Sequence, residues 1–162
     1  MYDQILALLD EKKYSELKNL LSEMNEADIA AVLKELPQEK LPLLYRILPK
    51  ELAAEVFVNM DSDAQEFLIR AFSDNELREV LDELYVDDAV DIIEEMPATV
   101  VKRILMHTDP EVRKSINEIL QYPEDSAGSI MTIEYVDLKK YMTVEDAFTR
   151  IRRTGVAKET IY

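Results

Sequence analysis

Eight carboxylates, Glu79, Asp82, Glu83, Asp87, Asp88, Asp91, Glu94 and Glu95, fall between Glu79 and Val101, a stretch without a single lysine or arginine. Oxygen ligands in this number suit hard cations such as Mg²⁺ and Ca²⁺. On a helix, Asp87/Asp91 and Asp91/Glu95 are neighbours of like charge, each pair costing about 0.2–0.5 kcal/mol. The dipole of a helix that starts near Asp87 offsets part of this for Asp87 and Asp88, and does little for Asp91, Glu94 and Glu95. Two readings follow from the residues alone. The face is either a solvated acidic surface that aids solubility, or a place where cations gather against a second acidic surface. It is not an EF-hand, because the loop's central glycine is missing.

Other chemistry has little to work with. His107 is the one histidine and there is no cysteine, so neither a nucleophile–histidine triad nor a thiolate metal site can be assembled, and no glycine-rich phosphate loop exists. His107 reads as a helix-end residue near Asp109. Acid/base catalysis by two carboxylates would need an aromatic cleft, for which short helices are a poor frame. The formal net charge is −15, and residues 1–120 carry 27 Asp/Glu against 13 Lys/Arg. Such a surface repels nucleic-acid phosphate and anionic lipid and favours a cation or a basic partner. The N-terminus lacks the basic start and apolar run of a signal peptide, and no stretch approaches the roughly 18 apolar residues of a membrane span.

The elements that must position the carboxylates are helices. Only two glycines occur, Gly128 and Gly155, with 48% hydrophobic residues, a composition that argues for mainly α structure. In Leu77–Pro97, Val86, Ala89, Val90, Ile92, Ile93 and Met96 gather on one side of a helical wheel and the acidic residues on the other. Residues 2–24 read as two short helices broken near Lys12–Ser15, with Ser15 as an N-cap. From Asn25 onward, apolar blocks alternate with punctuation about every 12 residues, at Pro37, Pro49, Asp61, Ser73, Tyr85, Pro97 and Asp109. Pro42 marks the first turn of a late helix start.

Residues 28–72 superpose on 76–120 at an offset of 48 without a gap, matching Val32 with Val80, Leu36 with Leu84, Pro49 with Pro97 and Asp61 with Asp109. A repeat of about four short helices implies a stacked helical solenoid whose units bury their apolar faces on one another. The acidic side is not repeated. Glu39, Lys40, Leu43, Arg46 and Ile47 stand where the second copy has Asp87, Asp88, Asp91, Glu94 and Glu95. Residues 122–132, YPEDSAGSIMT, read as a linker after a helical domain of residues 1–121. In 133–162, Tyr135–Leu138 is a candidate strand, and Thr143 with Asp146 opens a helix whose apolar side holds Val144, Ala147, Phe148 and Ile151. Gly155 closes it, and Glu159–Tyr162 resembles a strand with nothing after it to pair with. The sequence reads as cut inside a second domain.

The segments LPKELAAEVF (48–57), LREVLDELYVDDAVD (77–91), YPEDSAGSIMTIEYV (122–136), MTVEDAFTRIRR (142–153) and ETIY (159–162) resemble the cytosolic N-terminal domain of the MgtE family of Mg²⁺ transporters and channels. The likeness covers essentially the whole chain. It implies a right-handed superhelical solenoid of short helices followed by a truncated α/β segment, the start of a CBS domain. In the full protein it implies paired CBS domains, a transmembrane pore, a homodimer, and this domain at the cytoplasmic face of the membrane. It further implies Mg²⁺ shared between acidic faces of the helical and CBS domains. By motif match the ligands are Glu55, Asp87 and Asp91, with main-chain oxygens near Gly128 and Ser129, where Ser129 departs from a second glycine. The expected role is a Mg²⁺-sensing regulatory domain without enzymatic activity. The alternative, from the residues alone, is a helical-repeat adaptor that binds a basic partner segment.

Overall fold

The structure is a computed structural model that describes residues 2–123, 125–155, 158 and 160–161. Among them are eleven α-helices and two short strands: α1 (Tyr2–Asp10), α2 (Tyr14–Ser22), α3 (Glu26–Glu35), α4 (Leu41–Tyr45), α5 (Lys50–Val58), α6 (Ser62–Ala71), α7 (Asp74–Leu81), α8 (Val86–Glu95), α9 (Ala98–His107), α10 (Pro110–Ile119), β1 (Tyr135–Val136), α11 (Val144–Thr154) and β2 (Thr160–Ile161). The chain is mainly helical, as composition and periodicity predict.

Helix boundaries follow from local chemistry. Asn25 accepts the Ala27 N–H at 3.0 Å and Asp61 the Ala64 N–H at 2.9 Å, while Ser73 and Glu76 form a reciprocal capping box at the start of α7. Pro37, Pro49 and Pro97 end the preceding segment and leave no stranded N–H at a helix start. Pro42 lies in the first turn of α4, as expected. Ser15 is not a cap: α2 starts at Tyr14 behind Lys13, without a side-chain cap, and Ser15 lies inside the helix. The break before it is instead made by backbone. Lys12 adopts φ 57°, and its N–H and that of Lys13 close onto Leu9 O at 3.1 Å and Leu8 O at 2.9 Å. This is a Schellman closure with lysine where glycine is usual.

The helical starts sharpen the repeat. Helices α3, α5, α7 and α9 begin at 26, 50, 74 and 98, and α6, α8 and α10 at 62, 86 and 110, so each step is 24 residues and the 48-residue offset is two steps. The single step is hidden in the sequence because the residues preceding α3, α5, α7 and α9 alternate, Asn25, Pro49, Ser73, Pro97.

The chain divides into two compact units, Met1–Leu84 with Ile92–Asp109, and Tyr85–Asp91 with Pro110–Tyr162. The division falls within α8. In the first unit α3 packs on α5, α5 on α7 and α7 on α9. Its core holds Tyr45, Phe57 and Phe72 as a cluster, with ring centroids 5.3 Å apart for Tyr45–Phe72 and 6.1 Å for Tyr45–Phe57. Two polar side chains buried there, Tyr45 and Gln65, find backbone partners. The Tyr45 hydroxyl donates to Ala53 O at 2.9 Å, and Gln65 Nε2 donates to Phe57 O at 2.8 Å. Burial pushes the Tyr45 hydroxyl's pKa well above its usual range. Arg103 on α9 donates to the carbonyls of Ile69 and Phe72 at the end of α6, and to Asp74 at the start of α7.

In the second unit β1 and β2 pair in parallel, Tyr135 with Thr160 and Val136 with Ile161, with α11 as the crossover. The strand expected at the end of the sequence therefore has a partner, the strand that precedes it; Glu159 and Tyr162, part of that expectation, lie outside the described residues. Thr143 and Asp146 make the expected capping box, and Gly155 is the C-cap of α11. The apolar side of α11 is not buried: Val144 is 74% and Phe148 52% exposed.

Candidate functional site

Helix α8 carries five of the eight carboxylates, Asp87, Asp88, Asp91, Glu94 and Glu95. Its apolar positions behave as the wheel predicts, with Val86, Ala89, Val90, Ile92, Ile93 and Met96 all buried. On the other side Asp87 and Asp88 are half-buried and Asp91, Glu94 and Glu95 are exposed. Burial of six apolar side chains fixes the rotation of the helix about its axis, and so holds the acidic side outward.

The exposed part of this face, Asp91, Glu94 and Glu95, stands without a cation beside it among the described residues. Several acidic groups elsewhere in the chain are matched by cations. Lys34 stands 3.2 Å from Asp61, Lys50 2.9 Å from Glu83, and Arg70 2.7 Å from Glu66 on the next turn of α6. Arg46 grips Glu76 with Nε at 2.5 Å from Oε1 and Nη2 at 3.3 Å from Oε2. That guanidinium, helped by the Ser73 N–H, holds the Glu76 carboxyl down to about 2. Among the described residues Asp91, Glu94 and Glu95 have no such cationic partner. Glu55, exposed on α5, has none either.

The start of α8 is held by a residue that sequence reasoning missed. Glu134 Oε2 accepts the Val86 N–H at 2.7 Å, across 48 residues of chain, and the Glu134 N–H is itself fixed by Thr132 Oγ1 at 3.1 Å. The available signal was Tyr85. One 24-residue step upstream and one downstream, the residue before the helix is an aspartate, Asp61 and Asp109; a tyrosine hydroxyl lies too far from its own Cα to do the same work.

Of the expected cation ligands, Asp87 and Asp91 stand one turn apart on α8, and Glu55 belongs to the other compact unit. Gly128 and Ser129 lie in a turn closed by the Ser129 N–H and Oγ, which donate to Ser126 O at 3.1 and 2.9 Å. Gly128 is required there for space rather than for φ: its φ is not positive, and a Cβ would collide with the Tyr122 ring. Among the described residues no three His, Asp or Glu side chains are gathered into a group that could hold a metal ion. His107 ends α9, as its sequence context suggested, and the carboxylate its Nε2 meets, at 3.4 Å, is that of Asp74, which that context did not point to.

Fold and acidic face together define the class, an acidic domain of short helices that runs into a small β–α–β unit. Residues 24–125 match the family model described as the MgtE intracellular N domain, and the chain belongs to that family. Over 75 residues it is 35% identical to the magnesium transporter MgtE of Thermus thermophilus; the aligned part makes up 46% of this chain and 17% of that transporter. The chain also superposes on the crystal structure of the cytosolic domain of the Mg²⁺ channel MgtE in complex with ATP. There the TM-score is 0.87 and the identity 31%, covering 100% of this chain and 68% of that one. A second structure, of the soluble part of a magnesium transporter, gives a TM-score of 0.84 at 22% identity over 99% of this chain and 65% of that one, a likeness of fold. Among the described residues no helix is long and apolar enough to cross a membrane.

Proposed function

We propose that this chain is the Mg²⁺-sensing regulatory part of an MgtE-type Mg²⁺ transporter, acting at the cytoplasmic face of the membrane without catalysing a reaction. In this reading residues 1–121 are a right-handed superhelical solenoid, 122–132 a linker and 133–162 the opening β–α–β of a CBS domain. Paired CBS domains and a membrane pore follow in a homodimer. Glu55, Asp87 and Asp91 supply carboxylates, and the Gly128 and Ser129 main chain oxygens, to Mg²⁺ ions shared with a CBS domain. The observation that carries the proposal is the acidic side of α8, on which the exposed Asp91, Glu94 and Glu95 follow the half-buried Asp87 and Asp88 along one helix, the first three without a cationic partner among the described residues. Mg²⁺ takes few carboxylates and keeps several waters, so sites split between two surfaces need no complete cage on either one.

The gating physics follows from charge. Two acidic surfaces repel when bare and approach when cations bridge them, so Mg²⁺ biases a two-state equilibrium. If only the closed arrangement binds, Mg²⁺ at ten times Kd stabilises it by about 1.4 kcal/mol per site; several weak sites make a steep switch. In the protein carrying its complete CBS domains, Mg²⁺ is expected to raise the melting temperature and compact the molecule. The double substitution Asp87→Asn, Asp91→Asn is expected to blunt both. An undiminished Mg²⁺ response in the double variant would rule out these ligands, and Mg²⁺-independent capture of a basic peptide, weakened by salt and by the same double substitution, would favour the adaptor reading instead.

A further inference from the structure

The first turn of α8 is set by a residue that the proposed ligand set does not include. Helices α3, α6, α7 and α11 are capped by their own Asn25, Asp61, Ser73 and Thr143. Before α8 the position is Tyr85, and the acceptor for the first N–H of the helix comes from Glu134, one residue ahead of β1. Residues 85–91 and 134 belong to the same compact unit. A third carboxylate is thus drawn to a helix turn that already holds Asp87 and Asp88, against the repulsion of like charges. The contact is made at 2.7 Å all the same, with Glu134 anchored from behind by Thr132. A charge-assisted hydrogen bond to an orphan N–H at the positive end of the helix dipole supplies the compensating attraction.

We infer that Glu134 is a positioning residue for the cation-binding face. It fastens the first turn of α8 to the segment entering β1, and so fixes where Asp87 and Asp91 present their oxygens. The inference rests on the Mg²⁺ reading above for its consequence, but the clamp itself can be tested without Mg²⁺. The geometry also makes the clamp a coupling device. A shift of the Thr132–Val136 segment bears directly on the acidic turn through this hydrogen bond.

Glu134→Gln keeps an acceptor oxygen and removes the charge; Glu134→Ala removes both. In the 162-residue chain without Mg²⁺, hydrogen exchange of the Val86 amide is expected to quicken about tenfold in Glu134→Ala and about threefold or less in Glu134→Gln. In the protein carrying its complete CBS domains, the Mg²⁺ concentration at half-maximal thermal stabilisation is expected to rise about five- to tenfold in Glu134→Ala, with Glu134→Gln largely rescued. Unchanged Val86 exchange in Glu134→Ala would overturn the clamp. Equal loss of Mg²⁺ response in both variants would overturn positioning in favour of a charge or direct-ligand role. A wild-type protein indifferent to Mg²⁺, with Val86 exchange altered as expected, would instead defeat the Mg²⁺ reading and leave the clamp standing.

Discussion

Replacing Glu76 with glutamine removes a negative charge while keeping the shape and an acceptor oxygen. The carboxyl is held at about 2 against an ordinary value of 4.5, first by the Arg46 guanidinium and then by the Ser73 N–H. That difference corresponds to a preference for the ionised form of about 3.4 kcal/mol at most. The Glu76 side chain is 33% and that of Arg46 46% exposed, so screening reduces the contribution to about 1–2 kcal/mol. Because the folded value lies below the unfolded one, the stabilisation is fully present above pH 4.5 and is lost as pH falls through about 2. Urea unfolding of the two proteins at matched pH gives the difference directly and cancels the many other carboxylates. The expected result is a deficit of about 1–2 kcal/mol for Glu76→Gln at pH 7, shrinking through pH 4 and absent near pH 2. A deficit below about 0.5 kcal/mol at pH 7, or one that does not change with pH, would refute the assignment of this ion pair as a stabilising clamp between α4 and α7.

Three further outcomes are expected. Arg103→Met keeps much of the apolar stem but leaves the carbonyls of Ile69 and Phe72 without their donor, and should destabilise by about 1.5–3 kcal/mol, a fall in Tm of about 4–10 °C by calorimetry. Lys12→Gly relieves a left-handed lysine at φ 57° and should raise stability by about 0.5–1 kcal/mol in chemical unfolding, whereas Lys12→Val should lower it. Gly128→Ala should displace the Tyr122 ring, changing the Tyr122 ring signals in NMR with little effect on the helices of the first unit.

What could be read from the sequence was whatever local spacing encodes. The burial of Val86, Ala89, Val90, Ile92, Ile93 and Met96, and the exposure of Asp91, Glu94 and Glu95, follow from a 3.6-residue period. The Thr143–Asp146 box and the position of Pro42 were legible because capping and proline chemistry act within one turn. Ser15 misled for the same reason: a good cap residue stood one position past the helix start, while the break was made by Lys12 in a conformation favoured for glycine. The Glu134 contact and the β1–β2 pairing escaped because each joins residues far apart in sequence, and no periodicity reports a single through-space hydrogen bond. Asp87 and Asp91 were placed on one helix by pattern, whereas Glu55 entered only through family likeness. The exposed Val144 and Phe148 show that amphipathic spacing identifies an apolar side without saying what covers it.

The 24-residue step has a consequence for how the first unit can change in length. Helices α3, α5, α7 and α9 each pack on the next, and their hydrogen bonds close locally, so a segment cut at Pro49 and rejoined at Ser73 would bring α7 to the place α5 occupied beside α3. Lengths that differ by 24 or 48 residues preserve the alternation of packed neighbours, while other lengths rotate apolar faces out of line. The same economy bears on folding. Successive partners are separated by only 14–16 residues, one short helix included, and closing each such segment costs only a few kcal/mol of chain entropy. The unit is therefore expected to fold fast for its size, from contacts made between near neighbours.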